Sequence, residues 1–122
     1  DVVSELSKTY ALGLVTSSLK KHYDIIHDKT GLSPFFDFLI CNEDVSETKP
    51  NPEPYLKALQ RSGVRAEEAI VIEDSERGLI SANAAKIKSV VIPGHLNANG
   101  DFSLATYQLK SIVELPQLLS EL

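Results

Sequence analysis

The sequence lacks the features of a secreted or membrane protein. It has a single cysteine, Cys41, so no disulfide can form within the chain, and such cysteine usage is typical of a reducing compartment. No apolar run approaches the roughly 18 residues of a membrane-spanning helix, and no signal peptide is visible. We therefore expect a cytoplasmic protein with no membrane partner.

Positive charge is also scarce. The chain has 12 Lys and Arg against 17 Asp and Glu, which gives a net charge of −5. Broad nucleic-acid binding requires clustered basic residues, so we expect no nucleic-acid partner. One small phosphate held by one lysine is still compatible with this charge. A dinucleotide-binding domain lacks support, because the pattern Gly-x-Gly-x-x-Gly does not occur.

What is present is an alternation of short apolar runs and segments with helical spacing. Strands are predicted at 11–15, 38–41, 69–72 and 89–92, with helices of about ten residues between most of them. This alternation is typical of an α/β fold in which helices wrap a parallel sheet. The hydrophobic fraction of 43% is that of a globular chain. We predict one domain, residues 1–122, of this class.

Thr16 and Ser17 directly follow the first predicted strand, where we expect a helix to begin. A hydroxyl and free backbone N–H groups at a helix N-terminus can bind an anion such as phosphate. The alternative is simple helix capping, which is the commoner use of such residues. The pair is therefore a candidate phosphate site with an ordinary structural alternative.

Lys49 lies in a loop before another predicted helix, for which Asn51 is the predicted N-cap and Pro52 the first helical residue. A lysine amine is a compact point charge that suits a phosphoryl group. The alternative is a solvated loop lysine. Pro50 and Pro52 restrict the backbone around the lysine, which favours a fixed position for it.

Glu73 and Asp74 follow the apolar run at 70–72, so two carboxylates stand at the end of a predicted buried strand. Desolvating two acids is costly unless a positive group meets them, and Mg²⁺ prefers such oxygen ligands. The alternative is that Asp74 caps the next helix, but Ser75 could equally be that cap. The next helix has a stripe of small residues that lets it lie close to the sheet: Gly78, Ala82 and Ala85.

Taken in order, these motifs resemble the haloacid dehalogenase superfamily, in particular its phosphatase and β-phosphoglucomutase-like branch. The resemblance rests on segments 13–18, 49–55 and 71–85. It implies a Rossmann-like, three-layer α/β/α fold with a parallel sheet. It also implies that Thr16 and the Ser17 backbone hold phosphoryl oxygens, that Lys49 neutralises the phosphate and the nucleophile, and that Glu73 and Asp74 hold Mg²⁺. In this interpretation Lys49, Thr16 and Asp74 are the catalytic residues.

The chain departs from the family pattern in two respects. The family's nucleophile lies in an early Asp-x-Asp motif, followed by an inserted cap, and this sequence has no Asp-x-Asp. We therefore expect an incomplete core without its cap, with the nucleophile on a missing N-terminal segment. Lys86 occupies a position where the family usually has glycine. This second departure affects the end of a helix rather than the chemistry.

The leading hypothesis is a magnesium-dependent phosphatase that acts on a small phosphorylated metabolite through an aspartyl-phosphate. The alternatives are a β-phosphoglucomutase-like phosphomutase and a non-catalytic phosphate-binding or interaction module. A phospho-receiver domain has little support, because receivers place their acid pair before the Thr and Lys, whereas here the acids come last. The fragment alone is predicted to be inactive.

Overall fold

The computed structural model describes residues 2–31, 33–94 and 99–122, and the side chains of residues 26–30 and 33 lie outside that description. The helices of the described ranges are α1 (Val2–Ser7), α2 (Lys20–Thr30), α3 (Glu53–Ser62), α4 (Glu76–Ala84) and α5 (Leu115–Ser120). The strands are β1 (Gly13–Val15), β2 (Phe38–Ile40), β3 (Ile70–Glu73), β4 (Lys88–Val91) and β5 (Tyr107–Gln108). The predicted α/β fold is confirmed. No helix within these ranges is long and apolar enough to cross a membrane.

All strand pairs of the described residues are parallel, as predicted, but they form two sheets. β1 pairs with β2, with Leu14 opposite Leu39. The second sheet has the order β3-β4-β5, with Ile72 opposite Val90. β5 is a two-residue strand that the sequence analysis missed, because so short a segment has no measurable alternation.

The alternation of side chains along β3 divides the core into two clusters, one on each face of the sheet. Val71 packs under α3 and α4 in a cluster of buried residues: Tyr55, Val71, Ala82, Ala85 and Ile87. Val90, which lies opposite Ile72, packs against Leu6 of α1 and Leu115 of α5. Helices therefore cover both faces, in the three-layer arrangement that the resemblance implies.

The start of α3 differs by one residue from the sequence prediction. The helix begins at Glu53 with Pro52 at the cap position, rather than with Asn51 as the cap. Pro52 and Pro54 have no N–H to offer. The Asn51 side-chain oxygen nevertheless accepts from the N–H of Glu53 at 2.9 Å, so Asn51 makes the capping hydrogen bond that the sequence predicted. This contact joins the Lys49 loop to the helix.

Candidate active site

Three separated segments meet in one cleft at the carboxyl ends of β1 and β3. The cleft has a volume of about 520 Å³, and its lining includes Thr16, Ser17, Lys49, Glu73 and Asp74. These are the five residues that the sequence analysis singled out. The carboxyl edge of parallel strands is where ligands bind in open α/β folds. The structure thus brings the five residues together, while their individual roles remain predictions.

Lys49 lies between the two sheets. Its amine donates to the Glu73 carboxylate and, at 3.3 Å, to the backbone carbonyl of Val15 at the end of β1. The amine also lies 5.1 Å from the centre of the Tyr55 ring, in cation–π geometry. Its side chain is only 13% exposed. The solvated-loop alternative for this lysine is therefore wrong.

Glu73 is turned into the protein rather than toward the cleft mouth. It is 7% exposed, and its Oε2 accepts from both the Lys49 amine and the Tyr55 hydroxyl. Its side chain lies against Gly78 of α4, where an added Cβ would stand 1.9 Å from the Glu73 carboxyl carbon. Only glycine at position 78 leaves room for this carboxylate.

Tyr55 is a member of the site to which the sequence analysis gave no role. Burial, and then the negative charge of Glu73, raise the pKa of the Tyr55 hydroxyl well above its usual range. The hydroxyl therefore keeps its proton and donates a hydrogen bond to Glu73. The available sequence signal was an aromatic residue with a polar tip on the inner face of α3, one turn beyond the lysine loop.

Asp74, unlike the buried Glu73, lies at the protein surface. It is exposed, and its carboxylate has no side-chain partner in the described part of the chain. The cap of α4 is Ser75, whose Oγ accepts from the N–H of Gly78 at 3.2 Å. The capping alternative for Asp74 is therefore wrong, and its carboxylate remains available to the cleft.

The sequence predicts that Thr16 and Ser17 lie at the start of a helix, and this prediction is wrong. α2 begins at Lys20, and the Lys20 N–H donates to the carboxylate of Glu43 at 3.0 and 3.2 Å. The Thr16 Oγ1 instead accepts from the N–H of Ser18, at 3.1 Å. The Glu43 carboxylate thus accepts from the first N–H of α2. The segment 16–18 forms a separate turn beside the cleft.

The donor set fits an open cation site rather than a closed one. Among the described residues, no group of three or more His, Cys, Asp or Glu could hold a metal ion by itself. Mg²⁺ in phosphoryl-transfer sites commonly uses one or two carboxylates, with water and phosphate as further ligands. Asp74 has a free carboxylate of this kind, whereas Glu73 Oε2 is already hydrogen-bonded twice.

Comparisons with known proteins agree with this geometry. A sequence model of the haloacid dehalogenase-like hydrolase family matches residues 1–92. The chain is 35% identical over 104 residues to YhcW of Bacillus subtilis (strain 168), and 32% identical over 93 residues to the pyrophosphatase PpaX of Bacillus cereus (strain AH820). These alignments cover 85% and 75% of this chain but 47% and 43% of the relatives. The chain thus spans about half the length of these relatives.

Among solved structures, CbbY from Rhodobacter sphaeroides in complex with phosphate superposes with a TM-score of 0.88 at 28% identity. The superposition covers 94% of this chain and 53% of that one. Because 94% of the chain superposes, most of the segment after residue 92 also follows the fold of that structure.

Proposed function

The chain belongs to the haloacid dehalogenase-like hydrolase family, and from this membership we propose that it forms the phosphate-binding and cation-binding side of a phosphatase site. The substrate would be a small phosphorylated metabolite. One observation carries the proposal: the Lys49 amine is fixed between β1 and β3, and the free carboxylate of Asp74 lines the same cleft. This arrangement pairs one anchored positive charge with one available cation ligand.

In this proposal each residue has a defined task. Lys49 neutralises the phosphoryl oxygens, and the Thr16 hydroxyl and the Ser17 backbone hold them in the same cleft. Asp74 would hold Mg²⁺, with Glu73 as a nearby charge, directly or through water. A bound Mg²⁺ supplies charge neutralisation at the phosphoryl group. Such prearranged charges stabilise the transition state without having to reorganise during the reaction.

The nucleophile would come from outside these residues. A carboxylate attacks phosphorus, the bond to the leaving alcohol breaks, and water then hydrolyses the acyl phosphate to release inorganic phosphate. Two strand edges that have no pairing partner in the described ranges support a nucleophile supplied by another segment. β1 pairs only with β2 and β3 only with β4 within the described ranges, and both bound the cleft through Leu14 and Ile72. A further parallel strand between them would deliver a side chain beside Lys49.

The phosphate complex of CbbY and the pyrophosphatase PpaX are similar proteins that agree with phosphate chemistry. A phosphomutase would use the same cleft and return the phosphoryl group to its substrate. A non-catalytic module would bind phosphate without turnover. The free strand edges favour a site that another segment completes. We therefore rank the enzyme above the non-catalytic module.

The test is the release of inorganic phosphate from a panel of phosphorylated metabolites, with magnesium present. The protein that carries the residues preceding Asp1 should turn over, and its Lys49→Ala variant should lose most of that activity. The 122-residue chain alone should not turn over. Undiminished release by the Lys49→Ala variant would contradict the proposal. An isomerised substrate without phosphate release would favour the phosphomutase, and phosphate binding without turnover would favour the module.

A further inference from the structure

We propose that Arg77 and Ser81 of α4 are positioning residues that hold the Lys49 loop against the acid pair. Arg77 Nη2 donates to the Lys49 carbonyl at 2.6 Å, and Ser81 Oγ donates to the Asn51 carbonyl at 2.7 Å. The two residues are four apart and therefore share one face of the helix. This inference rests on the proposed function, since it concerns the placement of the proposed phosphate-binding lysine.

The Ser81 contact is the more buried of the two. Ser81 is fully buried, with 0% exposure. A serine in the middle of a helix commonly bonds to a carbonyl of its own helix, one turn earlier. Here the hydroxyl instead donates to a carbonyl 30 residues away in sequence. Because a buried hydroxyl without a partner costs free energy, this hydrogen bond ties the loop to α4.

The Arg77 contact acts on the lysine itself. Arg77 is exposed, but its guanidinium donates to the backbone of the residue whose amine enters the cleft. Hydrogen bonds from an ionised donor are stronger than neutral ones. The Lys49 backbone is thus held by α4, and its amine is held by Val15 and Glu73.

These two contacts matter because α4 begins directly after the acid pair. The helix starts at Glu76 with Ser75 as its N-cap, directly after Glu73 and Asp74, so its first turn fixes the position of both acids. Arg77 and Ser81, in the first and second turns of the same helix, hold the loop that bears Lys49. α4 therefore sets the distance between the lysine and the acids. Misplacement of a catalytic group by about 1 Å can lower the rate by about 10²-fold.

The first experiment measures the accessibility of the Lys49 amine and needs no activity. Full-length protein is labelled with limiting acetic anhydride, and mass spectrometry compares Lys49 with the exposed Lys20. Arg77→Gln and Ser81→Ala should each raise the relative labelling of Lys49 by about five- to tenfold, the effect of losing one hydrogen bond. Arg77→Lys, which keeps a charged donor, should lie between Arg77→Gln and the parent.

Matched controls exist on α3. Arg61 is an exposed arginine at the end of that helix, and the Ser62 hydroxyl donates within its own helix, to Leu59 at 3.1 Å. Arg61→Gln and Ser62→Ala should leave Lys49 labelling unchanged. Arg77→Gln alters an exposed side chain, so it keeps the test valid even if Ser81→Ala impairs folding. Labelling of Lys49 in Arg77→Gln equal to that in Arg61→Gln would overturn the proposal.

The second readout is steady-state kinetics of the same variants. Arg77→Gln should lower kcat by about tenfold and leave KM and the magnesium activation constant near their parental values, because the lost placement matters most in the transition state. An unchanged kcat in an enzyme that does depend on Lys49 would contradict the positioning role. If Lys49→Ala itself has no effect on turnover, the proposed function fails, and the labelling result still decides the structural claim.

Discussion

At the scale of single residues, two adjacent carboxylates have opposite surroundings. Successive side chains of a strand point to opposite sides. This alternation of burial continues from Glu73, the last residue of β3, to Asp74. Glu73 is buried and accepts from Lys49 and Tyr55, whereas Asp74 is exposed and its carboxylate has no side-chain partner among the described residues. Sequence analysis placed both at one metal site because it had no means of seeing that Tyr55 would meet the first acid.

This division predicts different consequences for the two amide variants. Glu73→Gln leaves the buried Lys49 amine without its counter-charge, and breaking a buried ion pair typically costs about 3–5 kcal/mol of unfolding free energy. Asp74→Asn removes an exposed charge and should change stability by less than about 0.5 kcal/mol. Urea unfolding of the two variants and the parent measures this difference. Equal losses would show that the two acids share one environment.

Tyr55 gives a prediction that depends on pH. Tyr55→Phe removes a hydrogen bond to a charged acceptor and should cost about 1.5–3 kcal/mol of unfolding free energy at pH 7. Because the pKa of Tyr55 is raised in the folded protein, this contribution is complete below the unfolded-state pKa of about 10 and falls as the pH rises above it.

The measurement is urea unfolding of parent and Tyr55→Phe between pH 7 and pH 11. The stability difference between them should be constant to about pH 10 and narrow above it. A surface tyrosine provides the control: Tyr10→Phe, at 40% exposure, should change stability little at any of these values. A difference that widens above pH 10 would contradict the raised pKa.

At the scale of elements, α4 is the part that sequence reasoning predicted best. The small-residue stripe is buried as expected, with Ala82 at 0% and Ala85 at 5% exposure, and Gly78 admits the Glu73 side chain. The assignment of Thr16 and Ser17 to the start of α2 was wrong for a physical reason. The first N–H of α2 is satisfied by Glu43, 23 residues away, and no local pattern reveals a partner that only tertiary packing supplies.

The end of α4 carries a residue in an unfavourable backbone conformation. Lys86 has a φ of 62°, in the left-handed region, where a side chain is disfavoured by roughly 1–2 kcal/mol. This is the position at which the family usually has glycine. Lys86→Gly should therefore raise the unfolding free energy by about 1 kcal/mol and leave kcat unchanged.

Thermal melts and activity assays of Lys86→Gly check this, with Lys88→Gly as the control. Lys88 lies in β4, where glycine should instead destabilise by roughly 0.5–1 kcal/mol. A lower melting temperature for Lys86→Gly than for the parent would contradict the strain that we assign to position 86.

At the scale of the whole molecule, the described residues form two parallel sheets that are joined by side chains rather than by strand pairing. Lys49 spans them through the Val15 carbonyl and Glu73. The α/β class and the convergence of the motifs were predictable, because local periodicity reveals alternating strands and helices, and ligands bind at the carboxyl ends of parallel strands. The division into two sheets was not, since it depends on which edges find a partner.

The central claim is that Lys49 and Asp74 act on one phosphoryl group in one cleft. The most direct test is a double-mutant cycle of kcat/KM for Lys49→Ala and Asp74→Asn, in a form of the protein that includes the proposed nucleophile. Each single variant should lose at least about 10²-fold, and the double variant should lose far less than the product of the two losses, because residues of one catalytic unit are not additive. Losses that multiply, or near-parental activity in either single variant, would contradict a shared site.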